Sequence, residues 1–63
     1  MNRYHDRLLA LREAESDADS TGHERYVCPW GSQWAVLNLY EMCELALHPE
    51  YTVFPDHHHI RVH

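Results

Sequence analysis

Histidine is the most concentrated reactive side chain in this sequence, and four of the seven histidines lie among the last seven residues. His57 and His59 are two residues apart, so on a β-strand their imidazoles point to the same side. A zinc ion needs about four ligands, and His63, Cys28 and Cys43 are the further candidates. Cysteines that bind zinc together are usually about two to four residues apart, whereas 14 residues separate these two. We therefore expect solvated histidines on an edge strand and no resident metal.

Cys28 is the candidate nucleophile, because Arg25 lies three residues before it and a nearby cation lowers the pKa of a thiol. The histidines could supply a general base. However, a chain of 63 residues has little room for a concave pocket of roughly a few hundred Å³. We expect no catalytic residues, no cofactor and no enzymatic activity. Whether Cys28 and Cys43 form a disulfide stays open.

The charge of the chain is negative, with ten carboxylates against five arginines and no lysine, which gives a formal charge of −5. A basic face for phosphates is therefore not available, and we expect no direct binding of nucleic acid. Protonation of all seven histidines would change the formal charge from −5 to −5 + 7 = +2. The charge of the surface thus depends on pH, with unperturbed histidines titrating near about pH 6.5.

The apolar content predicts a folded chain with no membrane segment. Apolar residues make up 44% of the sequence and include two Trp, four Tyr and one Phe, which is typical of a chain with a core. No stretch approaches the roughly 18 apolar residues that span a bilayer, and the N-terminal residues lack the apolar part of a signal peptide. We expect a cytoplasmic protein that does not bind membranes.

The periodicity of apolar residues and the turn formers predict the order helix, strand, helix, strand, strand. Asn2 is expected to cap the first helix, and Tyr4, Leu8 and Leu11 recur on one side of it. The predicted elements are a helix over 3–16, an acidic loop over 15–24, a strand over 25–28, a helix over 32–47, and strands over 51–54 and 57–62.

The second helix is expected to supply most of the core. Steps of 100° per residue place eight apolar side chains within one arc of about 160°. These are Ala35, Val36, Leu39, Tyr40, Met42, Cys43, Ala46 and Leu47. Pro55 and Asp56 predict a turn that joins the last two strands as a hairpin. The expected fold is a single α+β domain over 1–63, with the second helix packed on a small two- or three-stranded sheet.

Two surfaces are the candidate partner-binding sites. The first is a stripe on the second helix, away from its apolar arc, and consists of Trp34, Asn38, Glu41 and Leu45. A tryptophan and a leucine beside polar residues are typical of an interface centre with a polar rim. The alternative is that the first helix covers this stripe through Tyr4, Leu8 and Leu11.

The second surface is acidic and surrounds the predicted loop, and its carboxylates are Glu13, Glu15, Asp17, Asp19 and Glu24. Such charge speeds association and selects basic partners, although most acidic runs are only solvated. Together these features favour a small acidic protein that binds a larger protein or protein–nucleic acid complex as an inhibitor or regulator.

Small acidic chains of this sort are common among inhibitors encoded by phages and mobile elements. We therefore expect an inhibitor of this class, whose target is a nucleic-acid-handling machine such as a CRISPR complex or RNA polymerase. Two alternatives stay open. One is a metal-dependent or pH-responsive module that uses His57, His59 and His63, and the other is an obligate structural subunit or homodimer.

Overall fold

The computed structural model describes residues 2–55 and 59–61. Within these residues the chain forms two helices and five strands. The elements in chain order are β1 (Asn2–Tyr4), α1 (Arg7–Thr21), β2 (Arg25–Trp30), β3 (Gln33–Leu37), α2 (Leu39–Leu45), β4 (Tyr51–Val53) and β5 (His59–Arg61). The strands form one antiparallel sheet in the order β1-β3-β2-β4-β5. The α+β class is confirmed, whereas the predicted element order lacks β1 and β3.

The N-terminal residues form a strand before the first helix begins. Asn2, Arg3 and Tyr4 pair with Val36, Ala35 and Trp34 of β3. Asp6 then caps α1, because its Oδ1 accepts a hydrogen bond of 2.9 Å from the backbone N–H of Leu8. The predicted helix over 3–16 with Asn2 as its cap is therefore wrong at its start.

The first helix also continues further than predicted. It ends at Thr21, and Gly22 takes the left-handed conformation with φ of 74°, where its N–H donates to the carbonyl of Ala18. This glycine therefore ends a helix, in a region that was predicted to be loop. Most of the predicted acidic loop over 15–24 is therefore helical.

The largest correction concerns the predicted helix over 32–47. Its first part is β3, which pairs with β2 from Tyr26 opposite Leu37 to Trp30 opposite Gln33. The two-residue turn between these strands begins with Gly31, whose φ is 59°. Glycine in the first central position is the signature of a type II′ turn, which suits the twist of a hairpin.

Pro29 lies inside β2, where the prediction ended the strand at residue 28. Pro29 is opposite Trp34 of β3. On its other side, β2 pairs with β4 only over Arg25, Tyr26 and Val27. A proline has no N–H to donate to a neighbouring strand. Pro29 lies beyond the end of β4, so no hydrogen bond to β4 is needed at this position.

The second helix is short because both of its ends have strong local signals. Asn38 and Glu41 form a capping box at the N-terminus. At the C-terminus, Ala46 has a φ of 55° and Leu47 N–H donates to the carbonyl of Met42 at 3.2 Å, which is a Schellman arrangement. Leu47 and Met42 both pack against the sheet, as the motif favours.

The last two strands pair antiparallel, as expected, and Asp56 of the predicted turn lies outside the described residues. Tyr51, Thr52 and Val53 lie opposite Arg61, Ile60 and His59. The strand predicted over 51–54 is confirmed to within one residue. Only 59–61 of the strand predicted over 57–62 lies in the described part of the chain.

The two helices lie on opposite faces of the sheet. Three alanines of α1 pack on Val27, Val36 and Val53, and the full set is Ala10, Ala14, Ala18 and these valines. The other face carries Cys28, Ala35 and Leu37, against which Met42 and Leu47 pack. The predicted arrangement is therefore incomplete: α1 covers one face of a five-stranded sheet, and α2 covers part of the other.

Candidate functional site

The predicted stripe on one helix does not exist, because its four residues belong to three different places in the fold. Trp34 lies on β3, half-buried, and packs against the core cluster under α1. Asn38 precedes α2, Glu41 lies in its first turn, and Leu45 ends it. For Trp34 alone, the alternative prediction of cover by the first helix agrees with the structure, because its side chain packs on the α1 face of the sheet.

Asn38 and Glu41 are engaged with each other. The backbone N–H of Glu41 donates to Asn38 Oδ1 at 2.7 Å, and the backbone N–H of Asn38 donates to Glu41 Oε1 at 3.1 Å. The hydrogen bond from the Asn38 backbone lowers the pKa of the Glu41 carboxyl, and the charge of Arg25 lowers it further. These two predicted contact residues thus have a structural role, and their role in binding stays a prediction.

The predicted acidic surface is divided between two sides of α1. Glu13 and Asp17 are one turn apart on one side, and Glu15 and Asp19 are one turn apart on another. Two residues along a helix correspond to about 200° of rotation, so the two pairs point in nearly opposite directions. Glu24 lies beyond the helix, before β2. The five carboxylates therefore do not form one continuous surface.

The first of these pairs lies close to the hydroxyl of Tyr4. Burial raises the pKa of Tyr4, and the negative charges of Glu13 and Asp17 raise it further. Glu13 and Asp17 are half-buried, and the residue whose pKa they raise, Tyr4, belongs to β1. A partner that bound them would have to approach the edge of the sheet at β1.

Three apolar side chains of α2 are exposed: Leu45, which was a predicted contact residue, and Leu39 and Tyr40, which were predicted to lie in the core. Leu39 is 49% exposed, Tyr40 is 74% exposed and Leu45 is 40% exposed. The long predicted helix placed Leu39, Tyr40 and Cys43 on its core face. Because α2 is a separate helix of seven residues, its rotation is set by the contacts of Met42 with the sheet, and these residues point outward.

A cleft of about 340 Å³ adjoins this surface, between the end of α1 and the start of α2. Its lining residues are Thr21, His23, Glu24, Arg25, Asn38, Leu39 and Tyr40. Glu24 Oε2 accepts a hydrogen bond of 3.2 Å from the Tyr26 hydroxyl, and Arg25 Nη1 donates to the Glu24 carbonyl at 3.0 Å. We call this concavity, together with exposed Tyr40 and Leu39, the α2 cleft.

A second exposed apolar surface lies on α1. Leu8 is 65% exposed and Leu9 is also exposed, so the predicted core stripe of the first helix is wrong at Leu8. Asp6, Leu11, Arg12 and Glu15 complete the lining of an open concavity beside them. Arg12 lies with two carboxylates in this lining, whereas the lining of the α2 cleft has Glu24 and Arg25.

The two cysteines are free thiols in opposite environments. Cys28 is fully buried on the α2 face of the sheet, and burial raises its pKa to about 11. The expected lowering by Arg25 is therefore wrong. Cys43 is exposed on α2, which corrects its predicted place in the core.

The histidine prediction falls largely outside the described residues. His57 and His63 are not among them, and His59 is described only as a backbone position in β5 opposite Val53. In the described part of the chain, no group of three or more His, Cys, Asp or Glu residues is arranged to hold a metal ion. The metal or pH-responsive alternative therefore stays a prediction.

No helix in residues 2–55 and 59–61 combines the length and apolar character needed to cross a membrane. Comparisons with models of protein families, with curated proteins and with solved structures find no match for this chain.

Proposed function

We propose that this chain is a small protein-binding module that acts as an inhibitor or regulator by occupying a surface of a larger protein or protein–nucleic acid complex. The observation that carries the proposal is the exposure of Leu39 and Tyr40 on α2 beside a cleft. Large apolar side chains gain about 1.5 to 3 kcal/mol when they are fully buried, so an interface that covers them is favoured. Tyrosine is also enriched at the energetic centres of interfaces.

The composition of the core supports a binding role for these side chains. The buried core consists of alanine, valine and cysteine with one leucine, Leu37. Met42 of α2 packs on this core, whereas Leu39, Tyr40 and Leu45 of the same helix remain at the surface. An apolar centre with carboxylates around it is the arrangement found in interfaces with a polar rim.

The net charge favours a basic target surface. With a formal charge of −5, the protein is attracted to arginine- and lysine-rich surfaces, and this attraction speeds association. Grooves that hold nucleic acid have this character, so a CRISPR complex or RNA polymerase is the kind of target that this charge suits. In that role the protein would exclude the nucleic acid by occupying its groove.

The proposal is tested by capture of a partner with the full chain, followed by measurement of affinity with the purified partner. The double variant Leu39→Ser, Tyr40→Ala is compared with Leu8→Ser, Leu9→Ser, which removes exposed apolar area of the same kind from α1. We expect only the first double variant to lose the partner. A third variant, Asp17→Arg with Asp19→Arg, measures the part that the α1 carboxylates contribute.

Two outcomes would contradict the proposal. One is a partner that binds both double variants as tightly as the wild type. The other is a stable homodimer in sedimentation that becomes a monomer in the Leu39→Ser, Tyr40→Ala variant, because α2 would then be a subunit interface.

A further inference from the structure

Among the described residues that line the α2 cleft, Glu24 is the carboxylate and Arg25 is the arginine, and Arg25 is already engaged. Arg25 donates to the backbone carbonyl of Glu24 and lies close enough to Glu41 to affect its titration. Glu44 is exposed on α2, one turn after Tyr40, so these two side chains lie on the same side of the helix. Glu24 in the lining and Glu44 beside Tyr40 are two carboxylates against the one charge of Arg25, so this rim is negative.

The ring of Tyr40 is available to a cation. In the described part of the chain, the guanidinium of Arg3 lies 5.9 Å from the centre of the Trp30 ring, and that of Arg7 lies 6.0 Å from the Tyr51 ring. Within the same residues, no arginine of the protein covers the more exposed Tyr40. A cation over a tyrosine face is attracted by the ring quadrupole.

The chemistry of the occupant follows from these two features. A second copy of the chain carries the same formal charge of −5, and a nucleic acid brings phosphates, so the negative rim repels both. An arginine or lysine side chain suits the rim, and its aliphatic part can pack on Tyr40 while its charge stays near Glu44. The exposed face of Leu39 needs an apolar neighbour on the same segment.

Resting on the proposed function, we infer that the α2 cleft binds a cationic amphipathic segment of a partner protein, with one arginine or lysine laid across Tyr40. Its charge lies between Glu24 and Glu44, and an apolar residue of the segment contacts Leu39. The cleft of about 340 Å³ accommodates one such side chain and not a folded domain. Recognition by this site therefore depends on charge and on the aromatic ring together.

The test uses the full chain, labelled with ¹⁵N, and a synthetic helical peptide of leucine and arginine as the probe. A peptide in which glutamate replaces every arginine is the matched control. We expect the arginine probe to shift amide signals of α2 and of residues 21–25, and the glutamate probe to leave them unchanged. Binding should also slow the reaction of Cys43 with iodoacetamide, since this thiol is exposed on the same short helix.

Substitutions then separate the contribution of the Tyr40 ring from that of the Glu44 charge. Tyr40→Ala and Glu44→Arg should each weaken binding of the arginine probe by about tenfold, because each removes one of the two attractions. Leu8→Ser, on α1, should leave the affinity unchanged. All three residues are exposed, so the variants are expected to keep the dispersed amide spectrum of the folded protein.

The inference is overturned if the glutamate probe binds as tightly as the arginine probe, or if the arginine probe shifts signals around Leu8 and Leu9 instead. A captured partner that requires Leu39 and Tyr40, combined with no binding of the arginine probe, removes this inference and leaves the proposed function standing. A captured partner that requires neither residue removes the proposed function itself.

Discussion

Asn38 and Glu41 cap the second helix reciprocally, each accepting a hydrogen bond from the backbone N–H of the other. The pair lies between β3 and α2, at the point where the chain leaves the sheet and begins a helix. The backbone N–H groups at the start of a helix have no partner within the helix. Because the two side chains accept hydrogen bonds from such N–H groups, the pair determines where α2 starts. That start, together with the contacts of Met42 with the sheet, sets the outward direction of Leu39 and Tyr40.

Loss of the Asn38 side chain should destabilise the fold measurably. We expect Asn38→Ala to lower the free energy of unfolding by about 1 kcal/mol, since an N-cap acceptor is lost. Asn38→Ser keeps an acceptor and should retain most of the stability. Urea unfolding followed by circular dichroism measures both, with Ser20→Ala on the exposed side of α1 as the control. Equal stability of Asn38→Ala and wild type would show that the capping box contributes nothing.

The Glu41 carboxylate should make stability depend on pH in the acid range. Its pKa is lowered in the folded state, so its contribution is complete above the unfolded pKa of about 4.3 and is lost as the pH falls through the folded pKa. Glu41→Gln removes this contribution and should flatten the fall in urea midpoint between about pH 5 and pH 3. Glu44→Gln controls for the loss of one charge on the same helix. Identical pH profiles for the two variants would contradict the assignment.

The two thiols should react at very different rates. Cys43 is exposed and should react rapidly with a disulfide reagent at neutral pH, while Cys28 is buried with a pKa of about 11 and should react only when the core opens. We expect one rapid equivalent per chain and a second only in denaturant. Cys43→Ser should remove the rapid phase. Two rapid equivalents in the wild type would show that the α2 face of the sheet is not closed over Cys28.

The small residues of α1 should be sensitive to size. Ala14 is fully buried beneath the helix against the valines of the sheet, so Ala14→Leu forces the helix away and should cost about 1 to 3 kcal/mol. Ser16→Leu, on the exposed side of the same helix, adds a similar volume without contact with the core and should change stability little. Chemical denaturation compares the two. A tolerated Ala14→Leu would mean that α1 can shift on the sheet at no cost.

Replacement of Ala46 by glycine at the C-terminal end of α2 should stabilise the folded protein. Ala46 has a positive φ of 55°, a conformation that costs a residue with a Cβ about 1 kcal/mol. We expect Ala46→Gly to raise the free energy of unfolding by about 0.5 to 1 kcal/mol after the greater chain entropy of glycine is included. Ser16→Gly inside α1 should instead lower it. Destabilisation by both glycines in thermal and urea unfolding would contradict the left-handed cap.

Several elements of the fold could be predicted from local signals in the sequence, without tertiary information. The strand at 51–54, its antiparallel pairing with the last strand and the strand that starts at residue 25 all agree with the structure. Turn formers and β-branched residues influence the conformation of only a few neighbouring residues, so the sequence alone indicates the turns and strands that they favour. Two further local signals were present and were missed: the Asn38-x-x-Glu41 capping box and Gly31 in a two-residue hairpin turn.

The sequence by itself determined the α+β class and the alternation of turn and apolar segments, but only the tertiary structure decided that Gln33–Leu37 is a strand. This strand lies between β1 and β2 and has Val36 in the core under α1 and Leu37 in the core under α2. A strand buried on both faces has no polar alternation, so its apolar run looks the same as a buried stretch of helix. Its identity came from backbone hydrogen bonds to strands elsewhere in the chain, and the exposure of Leu39 and Tyr40 followed from it.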